Sequence, residues 1–296
     1  MSEARPVTAG DCAAILPVLA RFHNPRLGDD DWRRMLFDLP WPTDDPVRGW
    51  ALWDGGRAVG FLGAIPSARE VHGRARRFVN LSSWIVDEAY RAESLKLVFP
   101  IVADRARTIV NLSPSKEAWE VFHRLGFRPL ESGQVLVSLL GRVGDWLPAG
   151  GVHVTPDPRP ESLPAAAARL WSDMRGTRAH AVWLDDGARA CLAIATASPW
   201  KGGRTLAHVQ YASDWALLWR HVGRVARGFR TVLGTWGVRV DARFAPASLP
   251  PFAVRKALPR TNLYRPEDDA IAPADVDGLY TEAVGQVLVP PAKRDG

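Results

Sequence analysis

The sequence predicts an α+β fold in two lobes, each a mixed, mainly antiparallel sheet flanked by helices. Three observations carry this expectation. The chain has 296 residues, room for two domains of ordinary size. Each half mixes segments of helical periodicity with short alternating or continuous apolar runs that read as strands. Finally, the hairpin WALWDGGRAVGFLGA in the first half is echoed by AVWLDDGARACLAIA in the second, each preceded by a helical segment and followed by another strand. That echo reads as a degenerate duplication. The segment GDWLPAGGVHV, around 144–154, combines proline with glycines and places the boundary, giving lobes at 1–146 and 151–296.

The elements follow in order. Arg5–Thr8 is a short extended piece, and Asp11 N-caps a helix whose apolar side is Ile15, Leu16, Leu19 and Phe22. DDDWRRMLFDL opens a second helix with acids that suit the positive end of its dipole. GWALWDGGRAVGFLGAIPS and RRFVNLSSWIVDE give three strands with a tight turn at Asp54-Gly55-Gly56. AYRAESLKLVFPIVADRA reads as a helix bent near Pro100, Thr108–Leu112 as a buried strand, and SKEAWEVFHRLGF as a helix closing at Gly126. RPLESGQVLVSLLG closes the lobe as a strand pair. In the second lobe the hairpin leads to a strand at 205–211, a long helix DWALLWRHVGRVARGFR and a strand at 231–236.

Composition narrows the class. With 47% hydrophobic and 24% charged residues, disordered, collagen-like and coiled-coil chains are excluded. No apolar run reaches the ~18 residues of a membrane span, and the first residues, MSEARPVTAGD, lack a signal peptide's apolar stretch, so a cytoplasmic protein without a membrane partner is expected. Cys12 and Cys191 make neither a disulfide framework nor a zinc site and are expected as buried thiols. The formal charge is +6, and five of the 38 basic residues are lysines. The arginine bias fits a GC-rich genome, although arginine also favours planar and phosphate partners. The excess sits in the second half, where 215–260 holds nine basic residues and the single acid Asp241.

Chemistry is concentrated at Trp84–Leu95. A strand ending in a turn that feeds a helix start leaves backbone N–H groups pointing outward, which favours a phosphate, and Arg91 adds a positive charge beside them. The stretches RPVTAGDCAAIL, AVGFLGAI, SWIVDEAYRAESLKL and SKEAWEVFHRLGFRPL, in that order over about 130 residues, resemble the GNAT superfamily of acyl-CoA N-acyltransferases. Two GNAT-like lobes are therefore expected. The resemblance implies acetyl-CoA or another acyl-CoA as cosubstrate, held by Trp84, Ile85, Val86, Arg91, Ala92, Glu93, Ser94, Leu95 and Ser115.

This sequence departs from the family's pattern in two places. The family's pyrophosphate turn reads Arg/Gln-x-x-Gly-x-Gly/Ala, whereas Ser94 and Lys96 stand at the glycine positions here and Glu93 opposes an anion. The family's helix asparagine and its proton-donating tyrosine match Ser115 and Phe122, and phenylalanine has no proton to give. The neighbouring His123 points elsewhere on the helix, about 100° away. No general base stands out. Asn80 and Ser113 are the polar candidates for acceptor contact.

In the second lobe the equivalent turn is Tyr211-Ala212-Ser213-Asp214, where Asp214 suits a helix N-cap and repels phosphate. A second cofactor site is not expected. The helix that follows has an apolar face and a stripe of Arg220, Arg224, Arg227 and Arg230, but no nucleic-acid motif accompanies it. In the tail, Leu263-Tyr264-Arg265 and Asp275-Val276-Asp277-Gly278-Leu279-Tyr280-Thr281-Glu282 resemble segments of GNAT-like proteins from bacterial polysaccharide loci. Asp275 reads as a helix start, since the spacing of Asp275, Asp277 and Glu282 lacks the loop of a calcium hand. Trp41, Trp146 and Trp200 lie near turns where a ring could stack on a ligand, whereas Trp236 reads as core. The expected activity is transfer of an acyl group, acetyl first, to an amine of a small molecule or sugar. A catalytically inactive GNAT-like binding or scaffolding protein stays open beside it.

Overall fold

The computed structural model describes residues 2–22, 27–139, 151–258 and 260–285. Contacts divide the chain into one unit of Met1–Leu130, Arg260–Val276 and Tyr280–Glu282, and a second of Glu131–Pro259, Asp277–Leu279 and Ala283–Gly296.

In the first unit, β1 (Glu3–Val7), β2 (Gly49–Asp54), β3 (Arg57–Val71) and β4 (Arg74–Val86) form an antiparallel meander. The β2–β3 turn is Gly55-Gly56, at φ 54° and 82°, the left-handed pair that a two-residue hairpin requires. The chain then crosses to β5 (Thr108–Asn111), parallel to β4, and ends the sheet with β6 (Arg128–Pro129). Between β5 and β6 lies β14 (Leu263–Arg265), antiparallel to both, so the sheet order is β1-β2-β3-β4-β5-β14-β6. Helices α1 (Cys12–Leu19) and α2 (Asp29–Leu36) pack near β3. α4 (Lys116–Arg124) buries Ala118 and Phe122 against Val79, Leu81 and Ile109.

The second unit repeats the plan. β8 (His153–Pro156), β9 (His180–Asp185), β10 (Ala190–Pro199) and β11 (Thr205–Ala212) are antiparallel, and β12 (Gly237–Asp241) lies parallel to β11. Antiparallel β7 (Gly133–Ser138) and the edge strand β13 (Ala253–Ala257) complete the order β13-β7-β12-β11-β10-β9-β8. Helix α5 (Ala165–Met174) precedes β9, and helices α6 (Trp215–Arg220) and α7 (Val222–Leu233) bury Leu217, Val225 and Phe229 against Val182, Leu184 and Val240. Each sheet therefore holds seven strands with one parallel pair, which bears out the duplication and the α+β class.

Several boundaries differ from the sequence reading. The expected pair at 128–141 separates, β6 staying in the first sheet and β7 joining the second, while the tail returns β14 to the first. Alternating apolar residues such as Val135 and Val137 mark a strand without naming its partner, so the contact-based division falls at 130/131 and the tail is shared. The stretch 140–150, including Trp146, lies outside the described residues. Residues 88–97 form a 3-10 run before the short α3 (Phe99–Ala103), in place of one helix. Only Leu97 in that run is buried, so there is too little apolar stripe to fix an α-helix. The 214–230 helix breaks at His221, whose φ and ψ of −119° and 26° are not helical. The expected strand at 231–236 is instead the last turn of α7, stopped by Gly234 in the left-handed conformation, and the strand starts at Gly237. Cys12 and Cys191 are buried free thiols.

Candidate functional site

The parallel pair β4/β5 holds register only over Phe78–Asn80 and Thr108–Val110. Beyond Asn80, β4 continues to Val86 while β5 stops at Asn111, so the two strands part and the β5 side of residues 82–86 is left outside the ladder. The opposite edge of β4 bulges there. Phe61 pairs with Ile85 and Gly63 with Ser82, which leaves Ser83 and Trp84 opposite Leu62, and Ser83 adopts φ 60°. A bulge of this kind turns a strand and re-aims its side chains.

Asn80, 1% exposed, sits where the strands part. It lies on the face opposite α4, because Val79 and Leu81 take the face packed on Ala118 and Phe122. Its Nδ2 donates to Glu282, and the Ser113 hydroxyl just beyond β5 donates to the other Glu282 oxygen at 2.8 Å. Glu282 opens the short α8 (Glu282–Gly285) and is itself 1% exposed. Tyr280, in the left-handed conformation at φ 58° and edge-on to Trp41 at 5.3 Å, turns the chain into this position. Burial raises the Glu282 carboxyl to about 7, because the ion loses its water and the Ser113 hydrogen bond restores only part of that solvation. Asn80 Oδ1 is buried and accepts no hydrogen bond. Ser113, in contrast, is exposed. The arrangement thus joins a surface hydroxyl, a buried carboxylate that changes charge near neutrality, and an unsatisfied amide oxygen.

The two residues singled out as acceptor contacts therefore share one partner. Glu282 itself was read only as part of a tail motif that lacked calcium-hand spacing. Its significance depends on the insertion of β14 beside β5, which returns the tail to the first sheet and which local pattern does not reveal. Asp275 ends a 3-10 turn over Pro273–Asp275 and accepts from Ala272 N at 2.8 Å, and α8 begins seven residues later.

The expected acyl-CoA contacts are less uniform. Trp84, Ile85 and Val86 are half-buried along the parted end of β4, with the Trp84 ring 5.5 Å from Phe122. Arg91, Ala92 and Leu95 are exposed in the 3-10 run, with Glu93 and Ser94 half-buried between them. Glu93 accepts from Lys96 and from the Ser2 hydroxyl, and the Lys96 bond foremost holds its carboxyl below the usual range. Lys96 also donates to Ser2 O at 3.0 Å. The charge at the second glycine position is therefore already engaged, and Arg91 is the cation left for a phosphate. Ser115 N-caps α4 by accepting from Ala118 N at 3.1 Å. Phe122 is fully buried, and His123 stacks on Trp119 at 4.7 Å. The parted β4 fits an acyl-CoA through its unladdered backbone; the 3-10 run offers one arginine and no α-helix N-terminus.

No family model matches the chain, and no curated protein matches it. Solved structures do match its fold. A GCN5-related N-acetyltransferase from Anabaena variabilis ATCC 29413 superposes with TM-score 0.58 at 9% identity, covering 90% of this chain and 73% of that one. A conserved protein of unknown function from Enterococcus faecalis V583, described as a probable N-acyltransferase, gives 0.59 at 9% identity with the same coverages. A GCN5-related N-acetyltransferase from Kribbella flavida gives 0.55 at 13% identity, over 90% and 71%. The two seven-stranded mixed sheets flanked by helices share the fold of these acetyltransferases. In this chain the fold is a tandem GNAT fold, written twice along one polypeptide.

Proposed function

We propose that the protein is an acyl-CoA-dependent acyltransferase whose general base is Glu282, acting on an amine of a small molecule or sugar. The observation that carries the reading is the convergence of Asn80 and Ser113 on a buried carboxylate at the point where β4 and β5 part. A base poised near 7 serves general catalysis well, since it is free to accept a proton at neutral pH. Ser113 provides the path. Its exposed hydroxyl receives a proton from the acceptor's ammonium, which frees the amine to attack, and hands its own to Glu282. Asn80 holds the carboxylate in place by its amide N–H, so that the base is fixed behind the exposed hydroxyl. Bound acyl-CoA supplies the activated thioester. Trp84–Val86 and Arg91 are the residues assigned to hold it, with Ala92, Glu93, Ser94 and Leu95 lining the turn. Ser115 is assigned to α4 capping alone. The thiolate departs without a tyrosine donor, because Phe122 fills that position in the core. We place the reaction in the cytoplasm, which fractionation of the source cells tests.

Calorimetric titration with acetyl-CoA and with CoA, followed by thiol release across a panel of amines and amino sugars, tests the reading. The expected result is binding of both, and turnover with one acceptor class. Binding without turnover by any amine would favour a GNAT-like binding protein, and no heat at millimolar ligand with folded protein would remove acyl-CoA altogether.

A further inference from the structure

The basic excess between Trp215 and Arg260 has no role in the reaction proposed above. In the second unit, six of the cations of this half surround one cavity of about 1010 Å³: Lys201, Arg204, Arg227, Arg230, Arg255 and Lys256. Among the described residues lining it there is no aspartate or glutamate. The walls between the cations are apolar, with Leu136, Leu139, Leu206 and Val254 joined by the rings of Trp200, Trp236 and Phe252. Trp236, expected in the core, is 49% exposed here, and Phe252 and Val254 are 61% and 62% exposed.

The cations rest on these rings. The Arg204 guanidinium lies 4.6 Å from the Trp236 ring centre and that of Arg230 5.3 Å from the same ring, while Lys256 Nζ stands 5.1 Å from Trp200. Among the described residues no carboxylate pairs with Arg204 or Arg230. A cation over an aromatic face at an exposed site gains only ~0.5–1 kcal/mol, so an anion entering the cavity would find partners held weakly in place. Like charges crowded around a cavity with no carboxylate among its described lining residues repel one another, and a bound anion relieves that repulsion. The cavity lies at the beginnings of β11 and β12, marked by Leu206 and Trp236, and so at the opposite end of the parallel pair from the position that Glu282 and Asn80 hold in the first sheet. It is not a second copy of the acyl-CoA turn.

We infer that this cavity binds an amphiphilic organic anion, an apolar body carrying one phosphate, sulfonate or carboxylate. The volume suits a single molecule of drug-like or lipid-like size, the apolar walls take its body, and the arginines take its head. Single-stranded nucleic acid needs free aromatic faces in a continuous groove, and here Arg204 and Arg230 both lie over the indole of Trp236.

The test uses the full chain and three probes: 8-anilinonaphthalene-1-sulfonate, its uncharged relative N-phenyl-1-naphthylamine, and dodecyl phosphate. The expected result is saturable one-to-one binding of the sulfonate, at least tenfold tighter than the uncharged probe, weakened by salt and competed by dodecyl phosphate. The exposed pair Arg204→Gln/Arg230→Gln should weaken the sulfonate at least tenfold while the uncharged probe binds as before, and Trp236→Ala should weaken both. Equal affinity for charged and uncharged probes, or non-saturable uptake, would overturn the inference. So would displacement of the sulfonate by an oligothymidylate but not by dodecyl phosphate, which would assign the site to nucleic acid.

Discussion

Each lobe buries a carboxylate beside the parallel strands of its sheet, and the two are held in opposite states. In the first lobe Glu282 has hydrogen-bond partners but no cation among the described residues, and burial raises its carboxyl to about 7. In the second, burial would likewise raise Asp241, but the His208 hydrogen bond and the charges of His208, Arg243 and Arg239 outweigh it and hold the group below the usual carboxylate range. His208 donates through Nε2, since its Nδ1 faces the Arg239 guanidinium at 2.8 Å and the Gln210 amide at 3.0 Å. Its own proton affinity is lowered, first by burial and then by Arg239. A duplicated fold has thus kept one carboxylate free to change charge and locked the other into a network. The difference lies in what surrounds each acid.

The comparison breaks most visibly at the two acids themselves. Glu282→Gln keeps the shape but exchanges one accepting oxygen for an N–H donor and removes the base, and acyl transfer should fall about 10²- to 10⁴-fold in the folded variant, measured as thiol release. If turnover survives, the base is elsewhere. Asp241→Asn should do the reverse, leaving Arg239 without its counter-charge in the interior and Arg243 with Glu131 at 3.8 Å, and costing about 3–5 kcal/mol in urea unfolding, with the chemistry of any folded protein unchanged. A loss under 1 kcal/mol would show that the network is dispensable.

How much of this was legible in the sequence depends on the range over which each feature is encoded. The hairpins, the helix closing at Gly126 and the Asp214 cap rest on local signals, such as glycine at φ 86° and a carboxylate accepting from Leu217 N, and these read through. The duplication could also be seen, because its two hairpins carry the same turn chemistry. Strand partnership could not, since nothing local in GQVLVS or LYR says which sheet will take it. Glu282 inherits that blindness: a glutamate in a tail becomes a buried base only after β14 has docked next to β5. Trp236 was misplaced for a related reason, a tryptophan beside a strand being usually core, whereas this one lines a cavity.

The pH dependence of stability separates the acids with opposite signs. Glu282 binds its proton more tightly folded than unfolded, so its contribution is complete below about 4.5 and is lost as pH rises through about 7, amounting to about 3 kcal/mol. Asp241 and His208 bind protons less tightly when folded, so their contribution is present above the ordinary histidine range and is lost as pH falls. Urea midpoints should therefore decline between pH 5 and 8 in the wild type relative to Glu282→Gln. Parallel curves for the two proteins would contradict the raised carboxyl.

Ser113 gives a smaller effect of clear direction. Its hydroxyl favours the ionised form of Glu282, so Ser113→Ala should push that carboxyl still higher and move the acidic limb of the rate profile to higher pH. The rate at neutral pH should drop several-fold or more if the hydroxyl also relays the proton, and Ser113→Thr should restore it. An unmoved acidic limb would disconnect Ser113 from the base.

The smallest expected change is at Ser83. A non-glycine residue at φ 60° is strained by of order 1 kcal/mol, and it is held here by the bulge that leaves Ser83 and Trp84 opposite Leu62. Its hydroxyl gains a contact with Ser82 Oγ at 3.0 Å, which offsets part of that strain. Glycine adopts the same backbone freely but loses more freedom on folding, so Ser83→Gly should change stability by no more than about 1 kcal/mol. Its value lies in the readout: if the bulge aims β4 towards the acyl-CoA, relaxing it should raise KM for acetyl-CoA with kcat held, whereas a bulge that only closes the sheet would leave both constants where they were.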